Sequence, residues 1–92
     1  MILPIRHCET VFDLSEVEVS DTFKLLAWCR GDLQKICSPS GFNVGWNCYE
    51  SGGQTTPHAH MHVIPRFDDE PFTGRGIRHW FKLPENARVK KS

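Results

Sequence analysis

Three histidines, His58, His60 and His62, alternate with Ala59, Met61 and Val63 before Ile64-Pro65. The chain holds five histidines, and these three fall within five residues. On a β-strand successive side chains point to opposite faces, so the three imidazoles share one face and Ala59, Met61 and Val63 the other. A helix would scatter them through about 400° of rotation, because each residue advances about 100°. The stretch Gly52-Gly53-Gln54-Thr55-Thr56-Pro57 leads directly into them.

Such a face has three readings. As plain surface residues, three imidazoles in register compete for protons and solvent and do nothing for the fold. As metal ligands, two histidines two apart on a strand can share a zinc ion at about 2.0–2.1 Å. The outer two Cα atoms, about 13 Å apart, serve one ion poorly, so a metal would take two of the three with His7, His79 or a carboxylate. As nucleophilic catalysts, neutral imidazoles attack phosphorus well, and an ordinary pKa near about 6.5 keeps the ring mostly neutral in the cell. One histidine attacks while its neighbours donate to the phosphate oxygens, the combination that phosphoryl transfer needs. Gly52-Gly53 brings backbone N–H groups close to an anion, and Gln54 and Thr55 add side-chain donors. Phosphorus chemistry is the best supported of the three.

The elements that must hold this face can be read in order. Met1 to Ile5 is apolar apart from Pro4 and predicts a short strand already under way at the first residue; proline suits a strand end or edge. Ser15-Glu16-Val17-Glu18 has the spacing of a capping box, and Ser20-Asp21 offers a second cap. Beyond it Phe23, Leu26, Ala27, Leu33, Ile36 and Cys37 recur at helical spacing, an amphipathic helix of roughly five turns. Gly31 weakens that helix by about 1 kcal/mol relative to alanine, and Pro39 and Gly41 stop it. Phe42, Val44, Trp46 and Cys48 alternate with Asn43, Gly45, Asn47 and Tyr49, the period of a half-buried strand. A glycine-rich connection, Glu50 to Thr56, then brings the chain to the strand His58 to Pro65, expected antiparallel to the one before it. The expected architecture is α+β, a thin three-stranded antiparallel sheet with one main helix on one face. After Pro65 the pattern dissolves into a surface loop, Asp68-Asp69-Glu70-Pro71, and a tail in which Lys90-Lys91 is expected to fray. Residues 1–66 form the expected domain core and 67–92 the tail.

At 92 residues the chain forms at most one domain, and a core of that size is marginal without help such as oligomerisation. Eleven basic residues balance eleven acidic ones, which excludes the electrostatic footprint of a duplex nucleic-acid binder. Apolar runs are too short for a transmembrane span, and the first residues lack the pattern of a signal peptide. A cytoplasmic protein is therefore expected. Cys8, Cys29, Cys37 and Cys48 lie far apart without a C-x-x-C pair and read as reduced thiols.

The run from Gly52 to Arg66, with its His58-Ala59-His60-Met61-His62-Val63-Ile64 core, resembles the histidine triad (HIT) family, whose signature is His-φ-His-φ-His-φ-φ with φ apolar. Ile2-Leu3-Pro4-Ile5-Arg6-His7 is similar to the family's strand ending in proline, a basic residue and histidine, and the helix and following strand come in the family's order. The resemblance covers roughly residues 1–66. It implies a nucleotide hydrolase or nucleotidyl transferase cleaving at the α-phosphorus of dinucleoside polyphosphates or nucleoside phosphoramidates. It also implies His60 as the nucleophile that forms a nucleotidyl-histidine intermediate, and His62 as a donor to the α-phosphate. His58, backed by His7, would orient the triad. Asn47, Gln54 and Thr55 would contact the phosphate or leaving group. No metal or other cofactor is implied for the covalent step, and a homodimer is. The competing functions are a nucleotide-binding remnant weak in catalysis and a zinc protein using two triad histidines.

Family domains usually carry two strands and a helix ahead of the Leu-Pro strand, whereas here Met1 falls inside that strand. The expectation is either a truncated reading frame or a short variant that dimerises to cover its edges. The segment Gly74 to Phe81, with Arg75 and Arg78, suits either the leaving-group side of a pocket or packing on a dimer surface.

Overall fold

The computed structural model describes residues 1–89; the expected fraying at Lys90-Lys91 lies outside the described residues. Helix α1 spans Glu16–Cys37. It begins where the first of the two cap candidates predicts: Ser15 Oγ accepts the Glu18 N–H at 3.1 Å, and Glu18 Oε1 accepts the Ser15 N–H at 2.8 Å. Two orphan donors of the first turn are thereby satisfied reciprocally. Ser20-Asp21 lies inside the helix, which passes Gly31 without a break. It ends on Ser38, held in the left-handed region at φ 49°, with Pro39 immediately after.

Strands β1 (Gly41–Trp46) and β2 (Met61–Arg66) pair antiparallel in a register running from Gly41 opposite Arg66 to Trp46 opposite Met61. Phe42, Val44 and Trp46 therefore share a face with Pro65, Val63 and Met61, while Asn43 and Gly45 share the other with Ile64 and His62. Helix α1 lies on the first face, where Phe23, Leu26 and Ala27 border a groove with Phe42, Val44 and Val63. A short helix, α2 (Ile77–Phe81), lies over the second; the Ile77 side chain comes within 3.8 Å of where a Cβ on Gly45 would stand.

The third strand contracts to a single bridge. Ile2 exchanges backbone hydrogen bonds with Met61 at 3.0 and 2.8 Å, and Ala59 N–H donates to the Cys8 carbonyl at 2.8 Å. Pro4 has no N–H to continue the ladder, and the chain bends at Ile5-Arg6, where the Arg6 guanidinium reaches Glu18 Oε1 and the Asp13 carbonyl, both at 2.7 Å.

Burial also departs from the helical periodicity. Phe23 is 60% exposed and Ile36 70%, and the one buried residue of α1 is Thr22. The reason is size. Six-residue strands are about 20 Å long, whereas the 22 residues of α1 extend about 33 Å, and two strands offer too little width to cover it. The buried apolar residues are Ile2, Cys8, Ala59 and Met61, so the core sits beneath the histidine segment. All four cysteines are free thiols. Arg66, at the end of β2, binds Asn43 Oδ1, the Glu70 carboxylate, and the carbonyls of Phe72 at 2.7 Å and Arg75 at 2.8 Å, fastening the start of the tail to the sheet.

Candidate active site

The three histidines do not lie on one regular strand. Thr56 to His58 form a bend, Ala59 and His60 lie outside any regular element, and only His62 lies within β2. The bend has a local cause: the His58 N–H turns back to the Thr56 carbonyl at 2.8 Å, and Pro57 between them supplies no donor. The segment nevertheless brings the rings together. His60 and His62 meet edge to face with centroids 4.9 Å apart, and His7 meets His58 in the same way at 5.4 Å.

Two backbone carbonyls fix the protons of this cluster. His60 Nδ1 lies 2.9 Å from the His58 carbonyl oxygen, and His58 Nε2 lies 3.0 Å from that of Pro4. A carbonyl oxygen only accepts, so each of these ring nitrogens carries the hydrogen. In the neutral ring His60 Nε2 then bears the free lone pair, and in His58 it is Nδ1. All three triad histidines are half-buried, and His60 has an orientation and a proton position at once.

The loop between β1 and the triad is held as tightly. Tyr49 adopts φ 64° and ψ 174°, a region nearly confined to glycine that costs a side-chain-bearing residue roughly 1–3 kcal/mol. Its ring stacks on Phe12 at 6.4 Å, and its carbonyl accepts the N–H groups of Gly52 at 3.2 Å and Gln54 at 3.0 Å. Gly53 takes φ +87°, and a Cβ there would lie 3.8 Å from Asn47 Nδ2, so the Asn47 amide rests beside the loop backbone. The Gln54 carboxamide is engaged by Tyr49 N–H, the Glu9 carbonyl and the Thr56 carbonyl.

A cleft of about 680 Å³ opens on the His62 face, within the usual range for a small-molecule site. His62, Asn47 and Gly52 border it, and Ile64, Ile77 and Trp80 form its apolar wall. Thr55 and Gln54 border a separate, smaller hollow with Glu9 and Pro57. The structure thus pairs His60 with His62 and His7 with His58, puts Asn47 with His62 at the cleft, and sets Gln54 and Thr55 at the smaller hollow. Among the described residues no three His, Cys, Asp or Glu side chains converge as a metal site. The carbonyls of Pro4, Glu9 and Thr56 went unread in the sequence, because a backbone acceptor carries no residue-type signal. The cleft wall from α2 left a faint trace, the cluster Ile77-Arg78-His79-Trp80-Phe81.

The HIT domain family matches residues 1–69. The chain belongs to the HIT family. Its relatives include the asymmetrical bis(5'-nucleosyl)-tetraphosphatase of Schizosaccharomyces pombe, 33% identical over 72% of this chain and 36% of that protein. The AP-4-A phosphorylase of Mycobacterium tuberculosis is 32% identical over 73% of this chain and 35% of its own. The adenosine 5'-monophosphoramidase hnt1 of S. pombe is 25% identical over 97% of this chain and 64% of its own. The chain therefore spans about a third of the length of the first two. Among solved structures, a HIT family protein from Bacillus anthracis superposes with TM-score 0.68 at 31% identity, covering 73% of this chain and 48% of that one. The α+β architecture is thus that of a HIT protein, of which this chain covers part. These relatives are named as a tetraphosphatase, a phosphorylase and a phosphoramidase. No helix of the described residues is long and apolar enough to cross a membrane.

Proposed function

We propose that this HIT chain is a nucleotidyl hydrolase or transferase acting at the α-phosphorus of dinucleoside polyphosphates or nucleoside phosphoramidates. The observation that carries the reading is the hydrogen bond from His60 Nδ1 to the His58 carbonyl, which leaves Nε2 as the attacking lone pair. A bond forms between Nε2 and phosphorus while the bond from phosphorus to the leaving oxygen or nitrogen breaks, its electron pair departing with the leaving group, which takes a proton. The phosphorylated ring is then cationic, and its Nδ1–H donates more strongly to the carbonyl that already holds it. Water attacks the same phosphorus and releases a proton, balancing the one the leaving group took, while the P–N bond returns its pair to Nε2 and a nucleoside monophosphate leaves. His62, against His60 and at the cleft, donates to a phosphate oxygen; His58 and His7 set the orientation behind them. Asn47 supplies a further contact to the phosphate or leaving group.

A homodimer belongs to the same reading. Among the described residues β1 pairs only with β2, so its outer edge offers a row of backbone donors and acceptors to a second copy. Sedimentation analysis tests this, and a monomer at micromolar concentration refutes it. A nucleotide substrate suits a cytoplasmic location. The enzymatic reading is tested by incubating the chain with a fluorogenic adenosine phosphoramidate and with a dinucleoside tetraphosphate. Turnover of at least one, lost in His60→Ala, is expected. No turnover of either, or turnover unchanged in the variant, defeats it.

A further inference from the structure

We propose that Gln54 is a positioning residue for the triad and makes no contact with the phosphate, an inference resting on the nucleotidyl-transfer reading above. The protein itself uses the whole carboxamide. Oε1 accepts the Tyr49 N–H at 2.8 Å, while Nε2 donates to the Glu9 carbonyl at 2.6 Å and to the Thr56 carbonyl at 2.9 Å. A primary amide has two N–H donors, so none remains for a phosphate oxygen.

From Gln54 the links run through the backbone to the nucleophile. The Thr56 carbonyl held by Nε2 also accepts the His58 N–H at 2.8 Å, and the His58 carbonyl accepts His60 Nδ1–H at 2.9 Å. Three hydrogen bonds from Gln54 the proton of the attacking ring is set. The other Nε2 hydrogen grips Glu9, next to Cys8, whose carbonyl accepts the Ala59 N–H at 2.8 Å. The spacing between the His7 segment and the triad is thereby fixed. Oε1 in turn holds Tyr49 in its positive-φ conformation, and Tyr49 lies two residues beyond Asn47. The three segments that carry His7, Asn47 and the triad all meet at one carboxamide. Nucleophilic attack is sensitive to such placement, since about 1 Å of error costs on the order of 10²-fold in rate.

The test joins nitrogen-15 spectroscopy of the ligand-free chain to steady-state kinetics. In the wild type His60 is expected as the Nδ1–H tautomer, the Gln54 side-chain amide hydrogens exchange slowly, and their signals stay unshifted when adenosine monophosphate is added. In Gln54→Ala the His60 tautomer shifts toward a mixture, and kcat falls by about tenfold to a hundredfold with KM changed by less than about twofold. In Gln54→Glu an ionised carboxylate faces two carbonyls, whereas its protonated form regains one donor. The activity of that variant relative to wild type therefore recovers as pH falls. Any of the following overturns the proposal: Gln54 amide signals moved by adenosine monophosphate, a raised KM at unchanged kcat in Gln54→Ala, or a His60 tautomer unaffected in both variants. Wild-type amide hydrogens exchanging as fast as those of free glutamine overturn it without any variant. Failure of the enzymatic reading looks different: no turnover by the wild type, with the tautomer still governed by Gln54.

Discussion

Around the histidines Ile2, Cys8, Thr10, Ala59 and Met61 are buried, and the carbonyls of Ile2, Pro4, Cys8, Glu9, Thr56 and His58 each accept a named donor. Helix α1 is longer than any other element, yet it buries only Thr22 and leaves Phe23, Trp28 and Ile36 largely exposed. One end of the molecule is thus defined by satisfied polar groups over a small core, and the other by secondary structure with little beneath it. A site can be assembled from short-range hydrogen bonds without a large core, because each bond fixes an atom that the chemistry uses. A helix packed on two short strands acquires its shape locally and depends on its caps.

The sharpest way to break this contrast is at the proposed nucleophile. His60→Ala is expected to lower turnover of a nucleoside phosphoramidate by at least about 10³-fold while leaving the far-ultraviolet circular dichroism unchanged. The ring is half-buried and contributes orientation, not core volume. Next comes the small core itself. Met61 is 1% exposed, and Met61→Ala is expected to cost about 2–5 kcal/mol in urea unfolding, whereas Ile36→Ala on the helix should change stability by less than about 0.5 kcal/mol. Comparable losses at the two sites would mean that the helix face has a partner in solution.

Much of this division was legible in the residues, and what was not has physical reasons. The Ser15–Glu18 box set the start of α1 because capping is a local matter of spacing, and the alternation from Phe42 to Trp46 gave β1. Period two alone predicts a shared face for the three histidines. That period cannot foresee that His58 N–H turns back to Thr56, which delays the strand to Met61. Helical periodicity marks the side of α1 that favours burial, but it is silent on whether a sheet is wide enough to bury it. Gln54 drew attention as a donor near phosphate; its three protein partners include two carbonyls, which no residue type announces.

A smaller effect tests how far α1 depends on its first turn. Ser15→Ala removes the oxygen that accepts the Glu18 N–H at 3.1 Å and should destabilise the chain by about 1 kcal/mol. Ser15→Asp, which retains an acceptor, should recover most of that loss. An equal loss in both variants would show that the cap contributes through something other than this bond.

The faintest expected effect lies on the ion pair that joins the two regions. Arg6, beside His7, reaches across to Glu18 in the first turn of α1 at 2.7 Å, and among the described residues the other salt bridge, Arg66–Glu70, stays at the end of the sheet. The hydrogen bonds from Arg6, with that from the Ser15 N–H, hold the Glu18 carboxyl down from 4.5 to about 2. A carboxyl whose folded pKa lies below its unfolded value stabilises the fold fully above the unfolded value, and that contribution is lost as pH falls through the window toward the folded one. Glu18→Gln keeps an acceptor for Ser15 and loses the charge. The melting temperature of wild type should therefore exceed that of the variant by a constant margin near neutrality, and the margin should close between about pH 4.5 and pH 2. Added salt should narrow it at neutral pH, because the guanidinium is about half exposed, at 55%. A margin independent of both pH and salt would mean that the helix and the His7 segment are joined by packing alone.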